Sequence, residues 1–194
     1  YTVAGAQSVG VPSPADLTPQ LQTLKEAAAD AVVMALYPPQ AKRVMEAKAK
    51  LAWRDVRMVS VGPLTDEQYL NVAGGYAEGT IGFCYYPDPN FSIEPGVAEY
   101  RRLMEQYHPK HPLNRYSLYG YVFAKLVIEG LDRAGRNLTR ESFLNSMETI
   151  RNWPSGGILP PVTFSQTNHH AQRAGFLCEL KDARFQPLGG WIEP

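Results

Sequence analysis

At 194 residues the chain can bury a substantial core, as one large domain or two small ones. Hydrophobic residues make up 44% and charged residues 20%, ordinary for a globular protein, and 19 basic residues balance 19 acidic ones. That balance argues against nucleic acid or an anionic membrane surface as a partner.

Residues 2–9 (TVAGAQSV) alternate enough to predict a strand, followed by a Pro-rich loop over 10–14. Thr18 reads as the cap of a helix that starts at Pro19 and repeats Leu21, Leu24 and Ala28 on one face. The uninterrupted apolar run 31–36 predicts a parallel strand covered by helices on both sides. Tyr37 stands where it stops, and Pro38-Pro39 opens a helix over 38–52. A third strand is expected over 56–61, then a Gly62-Pro63 turn, a helix over 67–73 capped by Thr65 and closed by Gly74-Gly75, and a fourth strand over 80–86. Alternation of this kind predicts an α/β fold, a three-layer, doubly wound, mostly parallel sheet with right-handed crossovers.

The pattern changes after Tyr86. Three helices follow without a strand between them, over 95–107, 116–134 and from a Thr139 cap to about 152. The middle one is apolar around most of its circumference and so needs cover on several sides. From Val162 the chain is β again, to a last extended stretch ending in Trp191. This divides the chain into an α/β segment over 1–90, a helical segment over 91–160 and a β tail over 161–194.

Tyr1 begins directly in a strand-like segment without the basic and apolar regions of a signal peptide, so the chain reads as mature, trimmed or partial. No membrane span is expected, because Lys125, Glu129 and Asp132 interrupt the longest apolar segment. Cys84 and Cys178 each fall in a predicted strand, and they admit two readings: buried thiols, or one disulfide tying the last strand to an earlier one.

No nucleophile elbow, Walker loop, H-E-x-x-H or C-x-x-C occurs. His108 and His111 in HPKHP and the pair His169-His170 lack further ligands at metal-binding spacing, and read as solvated loop residues. Neither a metal nor a cofactor is expected, and catalysis is the weakest of the readings. What remains is a row of residues at the carboxyl ends of strands: Tyr37 and Pro38, then Gly62, Pro63, Leu64 and Thr65, then Tyr85 and Tyr86. Such an edge collects ligands in open α/β sheets, and its backbone N–H groups and helix N-termini favour a carboxylate or other anion. Tyr37 has two readings there, a ligand contact or a half-buried turn aromatic.

The runs DLTPQLQTLKEAAADAVVMALYPPQA, VAGGYAEGTIGF, LYGYVFAKLVIEGLDRAG and PVTFSQTNHH…GFLCELKDARFQPLGGW, in this order, resemble the branched-chain amino-acid-type periplasmic substrate-binding proteins of ABC transporters. The resemblance implies a type I periplasmic-binding fold of two α/β lobes that close on a small-molecule ligand, with this chain corresponding to the carboxy-terminal half and lacking the N-terminal lobe. It implies a periplasmic or extracellular location, an ABC permease as membrane partner, and the absent lobe or another chain as cover for the apolar helix. It also implies that Tyr37 and the Gly62-Pro63 loop line the cleft; with the sheet-edge residues, the expected ligand-binding set is Tyr37, Pro38, Gly62, Pro63, Leu64, Thr65 and Tyr86. Amino-acid binders of the family present an acidic residue from the loop after Gly-Pro, where this chain has Leu64 and Thr65, with Asp66 and Glu67 displaced into the helix start. The expected ligand is therefore an amino acid, an amide, or an aromatic or aliphatic carboxylate. A ligand-sensing regulatory domain on the same fold is the alternative.

Overall fold

A computed structural model of the chain describes residues 2–170 and 172–193. The elements run α1 (Thr18–Glu26), β1 (Ala31–Met34), α2 (Pro38–Lys50), β2 (Arg57–Ser60), α3 (Glu67–Ala73), β3 (Ile81–Cys84), α4 (Pro95–Tyr107), α5 (Arg115–Ala134), α6 (Arg140–Met147), β4 (Phe176–Lys181) and β5 (Arg184–Pro187). Short 3-10 turns lie at Gly62–Leu64 and Gly74–Ala77. The chain forms two units, one of Tyr1–Cys84 with Phe176–Gly190, the other of Tyr85–Gly175 with Trp191–Pro194.

The first unit is built on a five-stranded sheet in the order β1-β2-β3-β4-β5. β1, β2 and β3 pair in parallel, whereas β4 and β5 add to the edge antiparallel. The β4–β5 hairpin turns through Asp182 and Ala183, both left-handed (φ 53° and 56°), as a two-residue turn matched to strand twist requires. Glu78 accepts a hydrogen bond from the Asp182 amide at 2.8 Å, which ties this turn to the segment ahead of β3.

Burial alternates along every strand. Val32, Met34, Met58, Cys84, Phe176, Cys178 and Leu180 form one core with Leu21, Ala41, Val44, Met45 and Tyr69 of the helices. The residues between them point the other way: Val33 is 67% exposed and Leu177 42%. The apolar run from Ala31 therefore behaves as a half-buried strand, not one covered on both sides within its unit. Sequence could not separate the two, because Val33 is as apolar as Val32.

Several local expectations shift by a residue. No strand forms over 2–9, where Val3 is 81% exposed. At α1 Thr18 is the first helical residue and Leu17 the N-cap, without a side-chain capping bond, while Asp16 just before it accepts from the Thr18 amide at 3.0 Å and its hydroxyl at 2.5 Å. Those hydrogen bonds hold the Asp16 carboxyl below its ordinary pKa. At α3 the cap is Asp66, not Thr65, because the Thr65 hydroxyl is turned back onto the Gly62 carbonyl at 2.9 Å. The cysteines are joined: Cys84 of β3 and Cys178 of β4 form a disulfide, so the buried-thiol reading does not hold.

The second unit packs α4, α5 and the segment 150–162 around Val97, Tyr100, Leu118, Val122, Leu126, Ile150, Ile158 and Val162. Asn114 and Thr139 each close a reciprocal capping box, with Ser117 and Ser142 respectively. α6 stops at Met147, earlier than expected, where the Ser146 hydroxyl turns to the Gly130 carbonyl of α5 at 2.6 Å. One stripe of α5, from Leu118 through Val122 to Leu126, is buried, while Val127, Ile128 and Leu131 remain exposed. The first part of the expected β tail stays in this unit: Trp153 and Val162 exchange hydrogen bonds of 2.8 and 3.0 Å, and Phe164 donates to Ile150. The chain re-enters the first unit at Phe176.

Candidate functional site

In the first unit the parallel register places the ends of β1 and β2 side by side, with Met34 opposite Ser60. Tyr37 and the Gly62–Leu64 turn thus leave the sheet at the same carboxyl edge. Tyr37 is the N-cap residue of α2, in extended geometry, and the residue is 66% exposed with no side-chain capping bond. Pro38 is buried beneath it as the first helical residue.

The neighbouring loop behaves differently from its reading in sequence. Leu64 is fully buried in the core and Thr65 is 4% exposed, so neither side chain faces outward as expected. The physical reason is the 3-10 turn, which folds the Leu64 and Thr65 amides back to the Val61 and Gly62 carbonyls at 2.9 and 3.1 Å. Gly82 of β3 sits close beneath, where a Cβ would stand 2.6 Å from the Thr65 methyl. Gly62 and Pro63 are half-buried at the rim. α2 begins with two prolines, Pro38 and Pro39, so those two positions of its first turn carry no N–H.

Tyr86 lies in the second unit. Its ring meets Tyr119 edge-on at 5.5 Å, and Tyr119 in turn contacts Phe123 at 4.4 Å. Burial pushes the Tyr86 hydroxyl far above its ordinary pKa, with smaller contributions from Tyr119 and Tyr85. Arg115, buried at the start of α5, donates to the Tyr86 carbonyl at 3.3 Å and lies 4.0 Å from the Asp88 carboxylate. Arg115 was not singled out in the sequence, and Asp66 was placed at the helix start there without its capping role. For Arg115 the available signal was a charged residue at the first turn of a helix, a pattern shared with solvated residues.

Among the described residues no group of three His, Cys, Asp or Glu side chains could hold a metal ion, and no helix is long and apolar enough to cross a membrane. His108 and His111 meet edge to face at 5.6 Å, and His169 pairs with Glu148 at 2.9 Å.

The sequence profile of a family described as periplasmic binding protein matches residues 1–184. The chain belongs to that family. Solved structures agree in fold. An ABC transporter substrate-binding protein from Aeropyrum pernix superposes with a TM-score of 0.81 at 18% identity, covering 96% of this chain and 51% of that one. A fatty acid ABC transporter substrate-binding protein from Thermomonospora curvata gives 0.80 at 20% identity, with 94% and 48% covered. A branched-chain amino acid ABC transporter protein from Thermus thermophilus, solved with bound valine, gives 0.78 at 15% identity, with 93% and 50% covered. This periplasmic binding protein chain thus has the type I fold and spans about half the length of the structures it resembles. No curated protein sequence matches it.

Proposed function

We propose that the chain serves the solute-binding component of an ABC importer, capturing a small organic solute between lobes without covalent chemistry. The observation that carries this reading is Tyr37, a large aromatic held exposed at the carboxyl edge of parallel strands, beside the Gly62-Pro63 turn. Tyr37, Pro38, Gly62 and Pro63 form the proposed wall in the first unit. Leu64 and Thr65 support it from the core, and Tyr86 is assigned to packing in its own unit. Membership of the family and the fold of its transport relatives support the reading. The named ligands of those relatives range from valine to fatty acid, so they support no single ligand class for this chain.

A periplasmic or extracellular site of action and an ABC permease as partner belong to the same proposal. The Cys84–Cys178 disulfide fits an oxidising compartment.

The test is a thermal-shift screen of the full-length protein against amino acids, amides, and aromatic and aliphatic carboxylates. A binding solute raises the midpoint in a saturable manner, by about 2.7 kcal/mol of stability at 100 times its dissociation constant. If no member of any class stabilises the protein, the reading is rejected.

A further inference from the structure

A cavity of about 260 Å³ opens in the second unit, and no residue of the proposed wall lines it. Its apolar lining comes from Pro160, Pro161 and Ala174, the last only 4% exposed. Two segments frame it. One is the stretch 160–174, just before the chain passes to the first unit at Phe176; the other is the returning tail from Trp191. Gly175 and Ile192 exchange backbone hydrogen bonds of 3.0 and 2.6 Å, which brings Arg173 and Glu193 to the lining of the same cavity.

Arg173 is oriented by Asn168. Backbone hydrogen bonds of 3.0 and 3.2 Å close the turn between Ser165 and Asn168. The Asn168 side-chain oxygen then accepts the His170 amide at 3.1 Å and one guanidinium N–H of Arg173 at 3.2 Å. An amide oxygen orients a guanidinium without neutralising it, and the rest of the fork has no partner among the described residues. Among the same residues Glu193 has neither a hydrogen bond nor an ion pair. Two opposite charges thus line one cavity without pairing with each other.

An occupant with a single charge would satisfy one of these groups and desolvate the other at a cost. A dipolar occupant satisfies both, its anionic end on the guanidinium fork and its ammonium end on the carboxylate. The proline and alanine surfaces take the carbons between. The volume lies below the roughly 300 Å³ at which ordinary ligand pockets begin, so the occupant is small.

We propose that this cavity binds a small zwitterion, with a carboxylate or phosphate on Arg173 and an ammonium group on Glu193. The bound molecule bridges the departing and returning segments of the second unit and so acts as an effector, separate from any solute at the Tyr37 wall. The proposal does not depend on the solute-binding reading.

Nuclear magnetic resonance titration of the isotope-labelled full-length protein tests this, with glycine, β-alanine and phosphoethanolamine as probes. Propanoate and propylamine, each carrying one of the two charges, are the controls. At least one zwitterion is expected to shift the amide signals of Gln172, Arg173, Ala174 and Glu193 saturably, and the set that does so tells carboxylate from phosphate. Arg173→Gln and Glu193→Gln are each expected to weaken that binding about fivefold, the upper range for a solvent-accessible charge pair. Both residues are exposed, so the variants keep the wild-type melting midpoint. The proposal is overturned if no probe moves those signals, if a control binds as tightly as the zwitterions, or if binding survives both substitutions unchanged. A probe that moves the signals of Tyr37 and Gly62 alone also overturns it, while supporting the solute-binding reading.

Discussion

Cys84 and Cys178, separated by 94 residues, are joined diagonally across the β3–β4 pair, with Cys84 opposite Phe176 and Gly82 opposite Cys178. The bond fixes where the chain re-enters the first unit after its excursion through the second. Both sulfurs are fully buried, so reductant reaches them only on unfolding.

Replacing both cysteines by alanine is expected to lower stability by roughly 2–5 kcal/mol, since the bridge closes a long loop in the unfolded chain. Urea unfolding of the double variant against wild type measures it. Thiol labelling of the unreduced, denatured protein should find no free sulfhydryl.

Two helical glycines should respond in opposite directions to alanine. At Gly96 a Cβ would stand 2.4 Å from the Ser155 carbonyl and 3.0 Å from that of Gly156, both backbone atoms. Gly96→Ala is expected to cost about 1–3 kcal/mol. At Gly120 nothing lies within 4 Å, so Gly120→Ala should add up to about 1 kcal/mol through helix propensity. Melting midpoints decide both, and a neutral Gly96→Ala would refute the close approach of α4 to the 155–156 backbone.

Asp66→Ala should cost roughly 0.5–2 kcal/mol, with Asp66→Asn retaining most of the stability. A local readout distinguishes this from a general effect. Amide exchange at Gln68, whose N–H the carboxylate receives, should accelerate in the alanine variant well before exchange elsewhere in the first unit.

Burial raises the hydroxyl pKa of Tyr69, Tyr86 and Tyr121 above the ordinary value. A tyrosine with a raised folded-state pKa gives up its proton more readily when unfolded. Its contribution to stability is thus complete below pH about 10 and declines as the pH rises beyond that. Ultraviolet titration should show these three ionising after the exposed tyrosines, together with alkaline unfolding. Tyr86→Phe should remove one late-titrating group and move the onset of unfolding to higher pH.

The α/β alternation, the helix stops at glycine, the Thr139 cap and the resemblance to periplasmic binding proteins were all legible in the sequence. Each rests on local chemistry: a two- or 3.6-residue period, a hydroxyl at a helix start, a proline without an N–H. The start of α2 at Pro38 was legible for the same reason, whereas β1 stops at Met34, short of the expected residue 36, and the exposure of Tyr37 was left open between two readings.

Tertiary structure decided what local chemistry leaves open. Only the packing of the 3-10 turn against Gly82 sends Leu64 and Thr65 inward and passes the capping role to Asp66. The antiparallel return of β4 alone brings Cys178 within bonding distance of Cys84. Likewise, the one-sided burial of β1 depends on which face the helices cover, and Val32 and Val33 carry no mark of it. Side chains of the same type are told apart only by their neighbours, and those neighbours lie far away in the chain.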